Sequence, residues 1–184
     1  DLNTSNVEFT TAGTMTVKGV DYVGGLIGYM TDQSELLSDN TKNPESGNIP
    51  SSTEHTLDFH GNVQGANYVG GAVGCLENSS LSNICVKANV IGNGTHVGGV
   101  AGVIYSDSGS GLVQDCVNSG TVTSTANTTN GLGGVVGIQE SGKTVNCVNK
   151  GSLKVDVMRY SGTVGGVVGL VYNNTTVETC VNQC

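Results

Sequence analysis

The hydrophobic positions of this chain recur as short blocks and not as a helical stripe. One block reads aliphatic-Gly-Gly-aliphatic-aliphatic-Gly. It appears five times, starting at Val23, Val69, Val97, Leu132 and Val164, with successive copies 46, 28, 35 and 32 residues apart. A second block lies between the copies: Ile84-Cys85-Val86-Lys87, Asp115-Cys116-Val117-Asn118, Asn146-Cys147-Val148-Asn149 and Thr179-Cys180-Val181-Asn182. Its cysteines are 31, 31 and 33 residues apart. Four residues beyond Cys116 and Cys147 stands a glycine, Gly120 or Gly151, and two further on an aliphatic, Val122 or Leu153. Phe9 precedes Gly13 and Met15 at the same offsets, and Phe59 leads a shortened version through Gly61 and Val63. This alignment places both phenylalanines in the cysteine column, giving an expected structural ladder of Phe9, Phe59, Cys85, Cys116, Cys147 and Cys180.

A period of about 30 residues, made of short Val-rich runs broken by Gly and Asn, predicts an all-β chain, a β-solenoid (β-helix) with three short strands per turn. The first strand carries Cys or Phe, the second is typified by Gly120-Thr121-Val122-Thr123, and the third is the Val-Gly-Gly block. Stacked turns bring equivalent side chains to the ~4.8 Å strand spacing, so like residues form ladders. Residues 1–184 are expected to form a single solenoid domain of five turns plus a half turn ending at Cys184. Residues 29–56 break the pattern, hold Pro44 and Pro50, and are expected to be an inserted loop. If Val164, Gly166 and Val168 face the core, then Leu26, Ala72, Val100, Val135 and Val167 form an apolar stripe outside. That stripe is a candidate contact surface for a partner or a second copy, unless a loop such as 29–56 covers it.

Composition narrows the function more than it defines it. The chain has 29 glycines among 184 residues, no tryptophan, seven Lys plus Arg and a formal net charge of -8. So few basic residues cannot form a phosphate-binding stripe, which argues against nucleic acid, and the negative charge argues against anionic lipid. No apolar run approaches the roughly 20 residues of a membrane span, so no direct membrane insertion is expected. The six cysteines form no C-x-x-C pair and have no histidine nearby, so no zinc site is expected. Within the column they read as buried thiols or as axial disulfides; the ~4.8 Å strand spacing against the ~3.8 Å Cβ separation of a disulfide favours thiols. Cys75 and Cys184 stand outside the column, and Cys184 could bond to Cys180 or to another chain. Asn118, Asn149 and Asn182 share one offset at a corner, where stacked asparagines can bond along the axis and serve free backbone groups.

No catalytic, cofactor-binding or metal-binding residue is predicted. Asp58, Asp107, Asp115, Glu140 and Asp156 fall at different offsets, and Arg159 is the only arginine. The glycine blocks lack the G-K-[ST] ending of a phosphate loop. Regular acidic residues for a calcium β-roll and a Thr-x-Thr on every turn for ice binding are both missing. Sequons at Asn3, Asn78, Asn93, Asn127, Asn173 and Asn174 are candidate N-glycosylation sites if the source is a secreting eukaryote.

The Val-Gly-Gly block alternating with Cys-Val-Asn-x-Gly resembles the GLUG repeat of bacterial surface proteins, adhesin-like proteins and the non-catalytic parts of immunoglobulin A peptidases. The resemblance covers nearly the whole chain apart from residues 29–56. It implies a solenoid and an extracellular, cell-surface address, and no catalytic residue. Peptidase activity in such relatives belongs to a separate domain with an H-E-x-x-H motif, which His55, His60 and His96 do not form. The expected function is a non-catalytic structural or adhesion module of a cell-surface protein, whose ligand, protein or glycan, the residues do not define. The alternative is a subunit of an extracellular filament stacked head to tail through uncapped ends, the open half turn completed by residues 1–9 of the next chain. A glycan-active enzyme is a distant third and would need two carboxylates within ~10 Å of each other in a groove.

Overall fold

A computed structural model describes residues 15–37, 57–157, 161–172 and 174–184. Among these residues there is no helix, and all regular structure is strand. The first repeat comprises β1 (Met15–Lys18), β2 (Asp21–Gly24), β3 (Ile27–Met30), β4 (Glu35–Leu37) and β5 (Leu57–Phe59). The second comprises β6 (Gly61–Gly65), β7 (Asn67–Gly70), β8 (Val73–Glu77), β9 (Ser80–Ser82) and β10 (Ile84–Val86). The third comprises β11 (Asn89–Gly92), β12 (Val97–Gly98), β13 (Ala101–Tyr105), β14 (Leu112–Gln114) and β15 (Val117–Asn118). The fourth comprises β16 (Val122–Ser124), β17 (Leu132–Gly133), β18 (Val136–Gln139), β19 (Gly142–Val145) and β20 (Val148–Asn149). The fifth comprises β21 (Leu153–Val155), β22 (Val164–Gly165), β23 (Val168–Val171), β24 (Thr175–Glu178) and β25 (Val181–Asn182).

Every strand pairs in parallel with the strand five places away in the chain. The result is five sheets of five strands, one strand from each repeat in each sheet. The repeat therefore carries five strands where three were expected, for two reasons. The glycine block is not one strand: it bends after its second glycine, so Val69-Gly70 lies in β7 and Val73-Gly74 in β8. The segment before the cysteine block is also a strand. Its sequences share little, but each contributes one residue to a common column of Leu36, Leu81, Val113, Thr144 and Val177, buried in the first four. Within the expected loop 29–56, Tyr29 and Met30 belong to β3 and Glu35 to Leu37 form β4, with Leu36 buried. Residues 38–56 of that loop, and Phe9, lie outside the described residues.

The main hydrophobic core draws on all five sheets. It includes Val63, Val90 and Val122; Val69, Val97 and Leu132; Leu76 and Ile104; Leu81 and Val113; and Ile84, Cys116 and Cys147. The bend in the glycine block overturns the expected exposed stripe. Ala72, Val100 and Val135 are fully buried in this core, and Leu26 and Val167 pack against it. In a straight strand, positions one and four point to opposite faces. A bend between them turns both inward.

The three glycines of each block are required by backbone crowding. A Cβ at the first, such as Gly98, would fall on the carbonyl oxygen of Ala101 three residues later. At the second, Gly99, it would fall on the carbonyl oxygen of Gly134 in the next repeat and against the Asn118 amide. At the third, Gly102, it would lie 2.5 Å from the Gly74 oxygen and 2.6 Å from the Tyr68 backbone. Side chains are excluded here because main chain packs directly on main chain.

Candidate functional site

Three interior or surface ladders and one cleft carry the polar chemistry of the molecule. The first ladder is the asparagine column. Asn118 Nδ2 donates to Asn149 Oδ1 at 2.9 Å, and Asn149 Nδ2 donates to Asn182 Oδ1 at 2.9 Å. The same oxygens accept the backbone N–H two residues on, Gly120 N to Asn118 at 3.0 Å and Gly151 N to Asn149 at 3.1 Å. Asn118 and Asn149 are fully buried, and this two-way bonding satisfies both ends of each amide. Phe59 and Val86 occupy the same column in the first two repeats, because Val86 pairs with Phe59 on one side and Asn118 on the other.

That pairing corrects the cysteine column. Cys85 is in register with Val117, not with Cys116, so Ile84 stands above Cys116, Cys147 and Cys180. Phe59 likewise leaves the cysteine column for the asparagine one. Cys85 lies on the opposite sheet face in a separate apolar cluster with Val117, Val148 and Val181. None of the six cysteines forms a disulfide. Each thiol of the true column donates to the carbonyl two residues earlier: Cys116 to Gln114 at 3.1 Å, Cys147 to Val145 at 3.2 Å and Cys180 to Glu178 at 3.3 Å. Burial pushes the Cys147 thiol well above its ordinary range, and the hydrogen bond to Cys147 followed by burial does the same for Cys180. Cys75, in a second small cluster with Val103 and Ile138, is pushed up to about 12 by burial. Cys184 is exposed and donates to Asn182 Oδ1 at 3.0 Å.

The third ladder is aromatic and was not anticipated. Tyr22 stacks on Tyr68 with ring centroids 4.8 Å apart, and Tyr68 on His96 at 4.6 Å. Each stands immediately before the first valine of a glycine block and adopts a left-handed backbone, with φ of 54°, 53° and 61°. Such a conformation costs a residue with a Cβ roughly 1–2 kcal/mol, and ring stacking offsets it. Burial lowers the His96 pKa. The sequence signal was present in Tyr22-Val23, Tyr68-Val69 and His96-Val97.

The cleft lies where the strands β13, β18 and β23 end. It has a volume of about 780 Å³ and is lined by Tyr105, Ser106, Asp107, Ser108, Gly109, Glu140, Ser141, Tyr172 and Asn174. Extending the register of β13, β18 and β23 by one residue stacks Tyr105, Glu140 and Tyr172 in consecutive repeats, with Glu77 beneath Tyr105. The floor is held by a serine network: Ser106 N donates to Ser141 Oγ at 2.5 Å, Ser141 Oγ to the Ser106 carbonyl at 2.7 Å, and Ser106 Oγ to Asn78 Oδ1 at 2.8 Å. The Tyr105 hydroxyl donates to Asp107. That bond, reinforced by the negative charge of Asp107 and then of Glu77 and Glu140, raises the tyrosine pKa. Glu77 accepts from the Tyr29 hydroxyl and, at 3.4 Å, from Thr31 Oγ1. The carboxylate of Glu140 has no hydrogen-bond or ion-pair partner among the described residues.

Asp107 and Glu140, expected to be scattered, are thus brought to one cleft; both are exposed. Among the described residues no three His, Cys, Asp or Glu side chains converge as a metal site. Of the sequons, Asn93, Asn127 and Asn174 are exposed, whereas Asn78 is half-buried with its oxygen engaged by Ser106 and the Asp107 N–H. Asn3 and Asn173 lie outside the described residues. Comparison with family models, curated proteins and solved structures finds no match to this chain.

Proposed function

We propose that the five parallel sheets wrap one core as a β-solenoid, and that the chain is a non-catalytic structural and adhesion module of a cell-surface protein. One observation carries this reading: the residues that recur from repeat to repeat are consumed in holding the repeats together. Asn118, Asn149 and Asn182 bond to one another, the column thiols bond to local carbonyls, and the glycines admit close backbone packing. What remains for recognition is the non-repeated surface, chiefly the cleft. The likeness of the glycine and cysteine blocks to GLUG repeats supports the extracellular address, as do exposed sequons on Asn93, Asn127 and Asn174.

The cleft's two carboxylates do not favour catalysis. A general acid in glycoside cleavage is shielded so that it keeps its proton near neutral pH. Asp107 and Glu140 are both exposed, and Asp107 already accepts the Tyr105 hydroxyl. The competing reading, a filament subunit, draws on the strands of the first and fifth repeats, each of which has a single neighbour among the described residues. Light scattering across a range of concentrations, with electron microscopy of the same samples, separates the two. A monomer at every concentration is the expected result. Rods of uniform width that lengthen with concentration would replace the module with the filament. Release of reducing ends from polysaccharides, abolished by Glu140→Gln, would overturn the non-catalytic assignment.

A further inference from the structure

We infer that the cleft formed by Tyr105, Glu140 and Tyr172 is a binding site for a quaternary ammonium group. Among the described residues, every charged side chain on its lining is acidic, and no Lys or Arg takes part. Asp107 is engaged by the Tyr105 hydroxyl and Glu77, in the same column, by Tyr29. Among the described residues Glu140 alone is left with an unmatched charge, and it stands between two tyrosines. Tyr105 is 36% exposed and Tyr172 54% exposed, so both present aromatic surface to a ligand.

Strand spacing sets the scale of the site. Tyr105 and Tyr172 are two repeats apart, about 9.6 Å, and Glu140 is one step, ~4.8 Å, from each. A cation held over Glu140 falls within the ~6 Å reach of the attraction between a cation and an aromatic ring on both sides. The rings also choose between cations. A metal ion needs several converging oxygen ligands, and the described residues offer no such group. A primary ammonium is compact and strongly hydrated, and an open cleft with one unpaired carboxylate compensates its desolvation poorly. A quaternary ammonium is bulky and weakly hydrated, so two aromatic flanks and one carboxylate match it. A neutral sugar would leave the charge of Glu140 uncompensated.

The inference rests on the binding-module reading above, yet its readout is direct contact and does not depend on cell-surface location or on oligomeric state. Choline titrated into the full chain, followed by amide and aromatic NMR, is expected to give saturable shifts at Tyr105, Glu140 and Tyr172. Glu140→Gln and Tyr172→Ala each weaken the apparent affinity by about tenfold, and added salt weakens it further. Both positions are exposed, so unchanged amide shifts in β6 to β15 certify that the variants fold. The proposal is overturned if the neutral carbon isostere of choline shifts the same signals equally. It is also overturned if N-acetyl-lysine amide or a hexose binds more tightly, or if no saturable shift is seen.

Discussion

Asparagine 149 shows how one residue type can be dictated by its neighbours in the stack and not by its own strand. It donates to Asn182, accepts from Asn118 and accepts the N–H of Gly151, and like Asn118 it is fully buried. In the first two repeats the same column holds Phe59 and Val86, where nothing needs a partner. Asn149→Ala strands the Gly151 N–H and leaves Asn118 Nδ2 with only its 3.4 Å bond to the Gly120 carbonyl. The expected loss is about 2–4 kcal/mol in urea denaturation, since a buried donor without a partner costs its desolvation in full. A loss below about 0.5 kcal/mol would mean that water enters the column and replaces the ladder. The asparagines were legible in the sequence as a repeated offset, and the cysteines misled for the same reason. Matching Cys85 to Cys116 by identity ignored the distance to the next inward aliphatic, which is six residues from Ile84 to Val90 and from Cys116 to Val122. Four residues separate Phe59 from Val63 and Asn118 from Val122, and that spacing assigns Phe59 to the asparagine column.

At the level of the strand, what the sequence displayed was repetition, and what it hid was bending. The period, the parallel stacking and the strand character of the blocks could be read from spacing, because identical residues recur only where environments recur. The bend within Val-Gly-Gly could not, since three glycines look the same whether they line a flat strand or form a corner. The β4, β9, β14, β19 and β24 column was hidden because a single shared position per strand, Leu, Leu, Val, Thr or Val, leaves no motif. The cleft was hidden for a further reason: Tyr105, Glu140 and Tyr172 differ from one another, and only register unites them. The corner itself can be tested by a pair of glycines. Gly98→Ala drives a methyl onto the Ala101 carbonyl and to 2.6 Å from the Gly137 nitrogen, which the main chain cannot yield. Gly109, unlike Gly98, has a positive φ, 75°, and no atom lies within 4 Å of an added Cβ. Gly109→Ala is expected to cost about 1 kcal/mol, the strain of the backbone alone, while Gly98→Ala abolishes cooperative unfolding by circular dichroism. Equal effects of the two would remove crowding as the explanation for the block.

Across the whole molecule, stability is distributed by the number of neighbours each repeat has. The first valine of the glycine block is fully buried at Val69 and Val97, in repeats covered on both sides, whereas Val164 in the fifth repeat is 49% exposed. Among the described residues the strands of the fifth repeat each pair on one side only, and Val168 and Leu170 are half-buried where Val136 and Ile138 are buried. In a stack whose units touch only adjacent units, stability is a sum of unit and interface contributions, and a unit lacking one interface opens first. Native-state hydrogen exchange is therefore expected to give the slowest amides in β11 to β15 and the fastest in β21 to β25, in a gradient and not a single plateau. The same asymmetry should appear in mutants. Val97→Ala removes two methyls from a filled core and should cost about 2 kcal/mol, while Val164→Ala, already half solvated, should cost well under 1 kcal/mol. If both substitutions cost the same and all amides exchange at one rate, the repeats unfold as one body. The neighbour-by-neighbour account would then fail, because the interfaces would be too strong relative to the units for any repeat to open alone.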